Sequence, residues 1–183
     1  DMGISYYRLV YARLTGEPFV VAETKNLLIR EMTTKDLPEL YAVYSTLEDC
    51  QYIEQLYDYD KELEFTKNYI KNMYGFFEYG LWLVFEKKSG ELIGRAGIEN
   101  REIDGVTCCE IGYLIRRDMQ HKGYAYEACQ AILEYASDEL GIQEMFAVID
   151  KTNEPSRKLA RKLGFELYAQ TDGGPDLYKF VFG

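Results

Sequence analysis

A strand that runs into a glycine turn at the start of a long helix constrains this chain more than any other feature. The strand is Glu110-Ile111-Gly112-Tyr113-Leu114-Ile115 and the turn is Gln120-His121-Lys122-Gly123-Tyr124-Ala125. The helix runs from about Gly123 to Leu140, with Ala125, Ala128, Ile132, Tyr135, Ala136 and Leu140 on its core face. Backbone N–H groups in a first helical turn lack internal acceptors, and the helix dipole is positive there. Such a terminus is built to hold a phosphate. Downstream lie Asn153-Glu154-Pro155-Ser156 and Leu163-Gly164-Phe165. The expected ligand is a cofactor that carries a pyrophosphate.

The surrounding pattern narrows the fold. Residues 4 to 14 place Tyr7, Val10, Tyr11 and Leu14 at helical spacing, and Phe19 to Ala22 form a short strand. Leu27 to Met32 read as a strand. Thr34 is placed to cap a helix through Ser45, and a second helix covers Lys61 to Met73 with Leu63, Phe65, Tyr69, Ile70 and Met73 inward. Strands follow at Leu81 to Glu86 and Leu92 to Asn100, separated by Lys88-Ser89-Gly90. After the glycine-turn helix come a strand at Met145 to Ile149, a helix at Pro155 to Leu163, and strands at Glu166 to Gln170 and Leu177 to Phe182. Helices come first, then a meander, then strand–helix–strand–helix. That order predicts a mixed α/β sheet rather than a doubly wound one. The turn is not G-x-G-x-x-G, and the following strand, Met145 to Ile149, carries no ribose-binding acid, so a dinucleotide fold fits poorly.

Composition removes other classes. At 183 residues the chain is one domain, here divided as an N-terminal extension of unknown role over 1–25 and a main domain over 26–183. The net charge of −10 argues against sequence-independent nucleic-acid binding. It favours a cationic partner instead. Cys50, Cys108, Cys109 and Cys129 show no CxxC spacing, and His121 is the one histidine, which argues against a bound metal. Reduced cysteines, no signal peptide and no long apolar run together predict a cytoplasmic chain that does not span a membrane.

These residues resemble the GNAT superfamily of acyl-CoA-dependent N-acetyltransferases. Gln120-x-x-Gly123-x-Ala125 is similar to the family's pyrophosphate loop. Glu110-Ile-Gly-Tyr-Leu-Ile is similar to the strand before it, and Asn153-x-x-Ser156 with Leu163-Gly-Phe is similar to the second half of the cofactor site. Within the family, Glu-Ile-Gly-Tyr and Asn-x-x-Ser resemble the ribosomal-protein N-terminal acetyltransferases. The resemblance implies a mostly antiparallel central sheet with one splayed parallel strand pair and about four flanking helices. Acetyl-CoA then enters as co-substrate where the strands ending near Ile115 and Ile149 part. Backbone groups around Tyr113, Leu114 and Ile115 would pair with the pantetheine arm. The turn from Gln120 through His121, Lys122, Gly123 and Tyr124 to Ala125 would hold the pyrophosphate, with Lys122 adding charge. Asn153 would bind the pantetheine amide or cap the following helix.

The chemistry needs a neutral amine and a partner for the leaving thiolate. Neutralising a lysine-like amine at pH 7 costs about 4.6 kcal/mol, whereas a protein α-amine costs about 1 to 1.4 kcal/mol. The resemblance names Glu110 as base, against the alternative that it only orients the acceptor. The family's usual acid is a tyrosine four residues before the Gly-Phe pair, and here that position is Ala160. Ser156 is the substitute, against the alternative of a helix-start serine that satisfies backbone donors. A covalent route through Cys108 or Cys109 lacks a basic partner. Residues 48 to 60, rich in acids and tyrosines, are expected along the acceptor pocket. Three functions stay open: acetylation of a peptide or protein N-terminal amine, acetylation of a small amine such as a polyamine or aminoglycoside, and acyl-CoA binding without catalysis. The oligomeric state is open, a dimer included.

Overall fold

The computed structural model describes residues 2–183. Strands β1 (Val20–Glu23), β2 (Leu27–Arg30), β3 (Leu81–Glu86), β4 (Leu92–Ile103), β5 (Val106–Ile115), β6 (Glu144–Ile149), β7 (Glu166–Gln170) and β8 (Asp176–Val181) form one sheet. Its order is β1-β2-β3-β4-β5-β6-β8-β7. Every neighbouring pair is antiparallel except β5 and β6. The helices are α1 (Met2–Thr15), α2 (Leu37–Ser45), α3 (Tyr59–Tyr69), α4 (Tyr124–Asp138) and α5 (Glu154–Leu163). Four of the five lie in the region expected to carry them, and α1 precedes it. The mixed, mostly antiparallel sheet with one parallel pair is the architecture expected from the sequence.

Burial explains the layers. Trp82, Leu83 and Val84 of β3 and Ile93, Ala96 and Ile98 of β4 are fully buried, because helices cover both faces of the central strands. On one face α4 presents Ala128, Ile132 and Ala136 at helical spacing, and Tyr135 meets Trp82 edge-on at 5.6 Å. On the other, α2 buries Leu37, Leu40, Val43 and Tyr44. The segment before residue 26 joins this sheet: β1 pairs with β2, Phe19 is buried, and Arg13 forms a two-pronged ion pair with Glu31.

The helices before β3 depart from the sequence reading at three points. Thr33, not Thr34, starts the first helical region. It opens a 3₁₀ turn over Thr34–Asp36 through a capping box with Asp36, and α2 follows at Leu37. In α3 the buried residues are Glu62 and Thr66, while Phe65, expected inward, is exposed and stacks on Tyr69. Glu62 tolerates burial because its carboxylate accepts the Tyr57 N–H at 3.1 Å. Finally, α3 does not stop near Met73 but continues as a π-helical stretch over Ile70–Phe77. There the wider turn buries Tyr74, whose hydroxyl reaches the Leu81 carbonyl.

Asp36 offers a test of the first helical region. Its carboxylate accepts the Thr33 N–H at 2.7 Å and pairs with Arg30 at 2.8 Å. Burial pushes its pKa up, but the Arg30 and Thr33 hydrogen bonds win and hold it below the ordinary 3.8. A depressed carboxylate stabilises the fold above its unfolded pKa, and that contribution disappears as pH falls through the folded value. Asp36→Ala is therefore expected to cost about 1–2 kcal/mol at pH 7. In urea titrations the gap from wild type should close below about pH 4.

Candidate active site

The site begins where β5 and β6 part. Their parallel ladder holds a single register pair, Glu110 with Phe146, and beyond it the strands diverge. The Leu114 carbonyl lies against Gly94 of β4, where an added Cβ would come within 2.2 Å of it. Leu114 therefore uses its backbone on β4. By strand alternation the backbone groups of Ile111, Tyr113 and Ile115 face the gap. Of these, the Ile115 carbonyl is already engaged by the Gln120 side chain at 2.9 Å. Because the Glu110–Phe146 pair already takes the Ile111 N–H, the Ile111 carbonyl and the backbone of Tyr113 are left as the open strand edge. Gln120 braces the turn against the strand end.

The turn beyond closes one end of a cleft of about 790 Å³. His121 and Gly123 both take positive φ, 62° and 82°. This twists the chain so that α4 begins at Tyr124 with its first-turn N–H groups unpaired within the helix. A Cβ at Gly123 would meet no protein atom within 4 Å, so the space beside it is open. Side chains hold the turn in place from outside. Tyr124 donates to Glu86 at 2.5 Å, and Glu127 accepts from Thr24 at 2.6 Å and from Asn26 at 2.7 Å.

Of the residues named from sequence, Glu110, Tyr113, Leu114, Ile115, Gln120, His121, Gly123, Tyr124, Ala125, Asn153 and Ser156 line this one cleft. Lys122 does not. Its ammonium lies 3.9 Å from the Met119 sulfur, outside the lining. A cation that does line the cleft is Lys162 of α5, held 4.2 Å over the Tyr126 ring. Its signal in sequence was faint, since α5 carries basic residues along its exposed side. From the acidic loop, Cys50 to Ile53 reach the cleft, and Tyr52 bridges it by a 2.7 Å hydrogen bond to Thr152.

The candidate catalytic groups separate clearly. Asn153 is the N-cap of α5, accepting from the Ser156 N–H at a long 3.4 Å. The helix-start role thus falls to Asn153. The Ser156 hydroxyl instead lies 2.8 Å from the Tyr113 hydroxyl. Ala160, one turn on, is buried and lines the cleft without a polar group. Burial pushes the Cys129 thiol beside them up to about 12, so it is held as a neutral thiol.

On the other face of the sheet, Glu110 is held by the Arg101 guanidinium at 2.7 Å. Directly across the β4–β5 ladder from it stands Glu99. Burial pushes the Glu99 carboxyl up, Arg95 pulls it back, and the Glu110 charge pushes it up again. Glu110, which lines the cleft, and Glu99, which does not, therefore stand as a cross-strand pair of carboxylates.

Comparison with known proteins gives a consistent answer. A model of the acetyltransferase (GNAT) domain matches residues 26–166. The uncharacterized N-acetyltransferase YnaD of Bacillus subtilis (strain 168) is 33% identical over 143 residues, covering 77% of this chain and 79% of that protein. YkkB of the same organism, an uncharacterized protein, is 32% identical over 134 residues, covering 73% and 72%. Among solved structures, the ribosomal α-N-protein acetyltransferase RimL in complex with coenzyme A matches with a TM-score of 0.71 at 16% identity. That match covers 88% of this chain and 97% of RimL.

Proposed function

The chain belongs to the GNAT acetyltransferase domain family, and from that premise we propose that it moves acetyl from acetyl-CoA to the α-amine of a peptide or protein. Family membership makes it an acyltransferase acting on nitrogen. The cofactor assignment is carried by one observation: β5 and β6 share a single register pair and then open onto the unpaired turn at Gly123. An extended pantetheine arm fits the free edge formed by the Ile111 carbonyl and the Tyr113 backbone as a further strand would. A pyrophosphate fits the amides that open α4, with Lys162 in place of Lys122 as the nearby cation.

In this reading the neutral amine attacks the thioester carbonyl directly. The C–N bond forms, the C–S bond breaks, and the proton lost by nitrogen balances the one gained by sulfur. Glu110 receives the amine proton on the carboxylate oxygen that Arg101 leaves free. The acceptor assignment draws on the likeness to RimL and on energy. An α-amine is deprotonated at neutral pH for about 1 to 1.4 kcal/mol, a demand one partly paired carboxylate meets. A second reading, acetylation of a small polycation, is favoured by the facing pair Glu99 and Glu110, which would hold an ammonium group.

Coenzyme A release decides between them. Initial rates are measured with acetyl-CoA and, in turn, alanine-initiated and serine-initiated peptides, spermidine and an aminoglycoside. The expected result is a kcat/KM at least about tenfold higher for a peptide than for either small amine. Preference for spermidine would transfer the acceptor assignment to the small-amine reading. Tight acetyl-CoA binding with no turnover on a broad peptide set would count for the binding-only reading.

A further inference from the structure

The catalytic tyrosine position of α5 is empty of polar atoms in this chain, because Ala160 stands there. A phenol nevertheless enters the same cleft from the opposite wall. Tyr113 of β5 and Ser156 of α5 are 43 residues apart in sequence, and their hydroxyls meet at 2.8 Å. Both residues line the cleft. The geometry points to Tyr113 as a positioning residue that orients the Ser156 hydroxyl toward the thioester sulfur. This rests on the cleft being the acetyl-CoA site.

The direction of the hydrogen bond follows from chemistry. A phenol is a stronger donor than an aliphatic alcohol, so Tyr113 donates and Ser156 accepts. Ser156 then has its own hydrogen left over, and its hydroxyl has no other partner among the described residues. With one side of the oxygen fixed by Tyr113, that hydrogen turns into the cleft. Asn153 reinforces the arrangement by capping α5 through the Ser156 N–H, so the serine side chain is released from capping.

Tyr113 does not itself give up a proton. Burial outweighs the contact with the Ser156 hydroxyl and pushes the Tyr113 hydroxyl up to about 12. A leaving thiolate whose conjugate thiol has a pKa of about 8.5 would not draw a proton from it. Ser156 instead donates a hydrogen bond to sulfur as negative charge gathers there, and the proton that sulfur finally takes is the one nitrogen lost. The phenol also compensates for Ala160. Its ring fills space on the β5 side while its hydroxyl supplies the polar contact.

A double-mutant cycle tests this, using the full chain, acetyl-CoA and the best acceptor from the panel above. Ser156→Ala should lower kcat about 30-fold and Tyr113→Phe about tenfold, the scale of losing a hydrogen bond to developing charge and of losing its orientation. Calorimetric acetyl-CoA affinity should stay within about twofold for both, because neither group pairs with the ground-state thioester strongly. The double variant should be no slower than Ser156→Ala alone, since Tyr113 acts through Ser156. Ser156→Thr, which keeps the hydroxyl, should recover most of the rate.

Losses that multiply in the double variant would overturn the inference, as would full activity of Tyr113→Phe. A Tyr113→Phe chain that folds but loses acetyl-CoA affinity would also overturn it, by making the phenol a binding group. Should Tyr113→Phe fail to fold, the serine pair still decides: Ser156→Thr as slow as Ser156→Ala would remove the hydroxyl from the account. A wild-type chain that binds no acetyl-CoA fails the cofactor assignment itself, and that result is read before any variant is made.

Discussion

Gly123→Val is expected to weaken acetyl-CoA binding by at least about 100-fold while leaving the fold intact. The reasoning separates strain from contact. Gly123 sits at φ 82°, a region that costs a β-branched residue about 1–3 kcal/mol. Nothing in the protein lies within 4 Å of where its Cβ would stand, so the substitution meets no internal clash. The loss beyond strain must come from what fills that open space, and in the proposed complex this is the pyrophosphate. Gly141 supplies the matching control. It has φ 65°, its Cβ would also meet nothing within 4 Å, and it lies outside the cleft lining. Gly141→Val should lower the melting temperature about as much as Gly123→Val and leave acetyl-CoA affinity unchanged. Calorimetry on the two variants reads both quantities. Equal affinity losses in both, or none in Gly123→Val, would detach the pyrophosphate from this turn.

The contrast between these two glycines shows what kind of information sequence carries. The turn at Gln120 to Ala125 is legible because its signal is local: a strand, a glycine and a helix start lie within a few residues. The strands around it were legible for the same reason, since alternation and turn residues mark them. The β4–β5 hairpin carried a local signal that went unused. Asp104-Gly105 takes φ 50° and 78°, the two positive angles a tight hairpin turn needs, and β4 accordingly runs on to Ile103 rather than ending at Asn100. Other features have no local signal. Tyr113 touches Ser156 only because α5, packed on α4 and β6, is brought across the cleft from β5, and Lys162 lies over the Tyr126 ring of α4 only because the two helices pack together. The π-helical stretch at Ile70–Phe77 likewise follows from where Tyr74 must reach, not from the propensities of its residues. Tertiary closure decided which side of Tyr113 mattered. The sequence reading assigned it a backbone role, and the fold adds a side-chain partner.

Glu110→Gln is expected to reduce kcat/KM at pH 7 by about 100-fold or more, the scale of general base catalysis. The pH dependence of that loss identifies the cause. If Glu110 takes the amine proton, the defect should shrink as pH rises toward the amine's own pKa, about 7.7 to 8.0 for a protein α-amine. Above it solvent supplies the neutral form unaided. If the carboxylate only orients the acceptor, wild-type and variant rates should keep a fixed ratio from about pH 6.5 to 9.5. The ion pair with Arg101 adds a complication that a second variant resolves. Replacing Glu110 releases the Arg101 guanidinium at 2.7 Å, and a freed cation would repel an ammonium acceptor. That repulsion fades with rising pH as well, so it mimics loss of a base. Arg101→Gln removes the cation in the same place. As a partly exposed pair it contributes little to stability, so the variant should fold and retain activity near wild type. In the Arg101→Gln background, a Glu110→Gln defect that still shrinks with pH belongs to proton transfer. A defect that becomes flat there belongs to the released charge, and the base role then leaves Glu110. Glu99, directly across the ladder with its carboxyl pushed up by burial, is the next group to replace in that event.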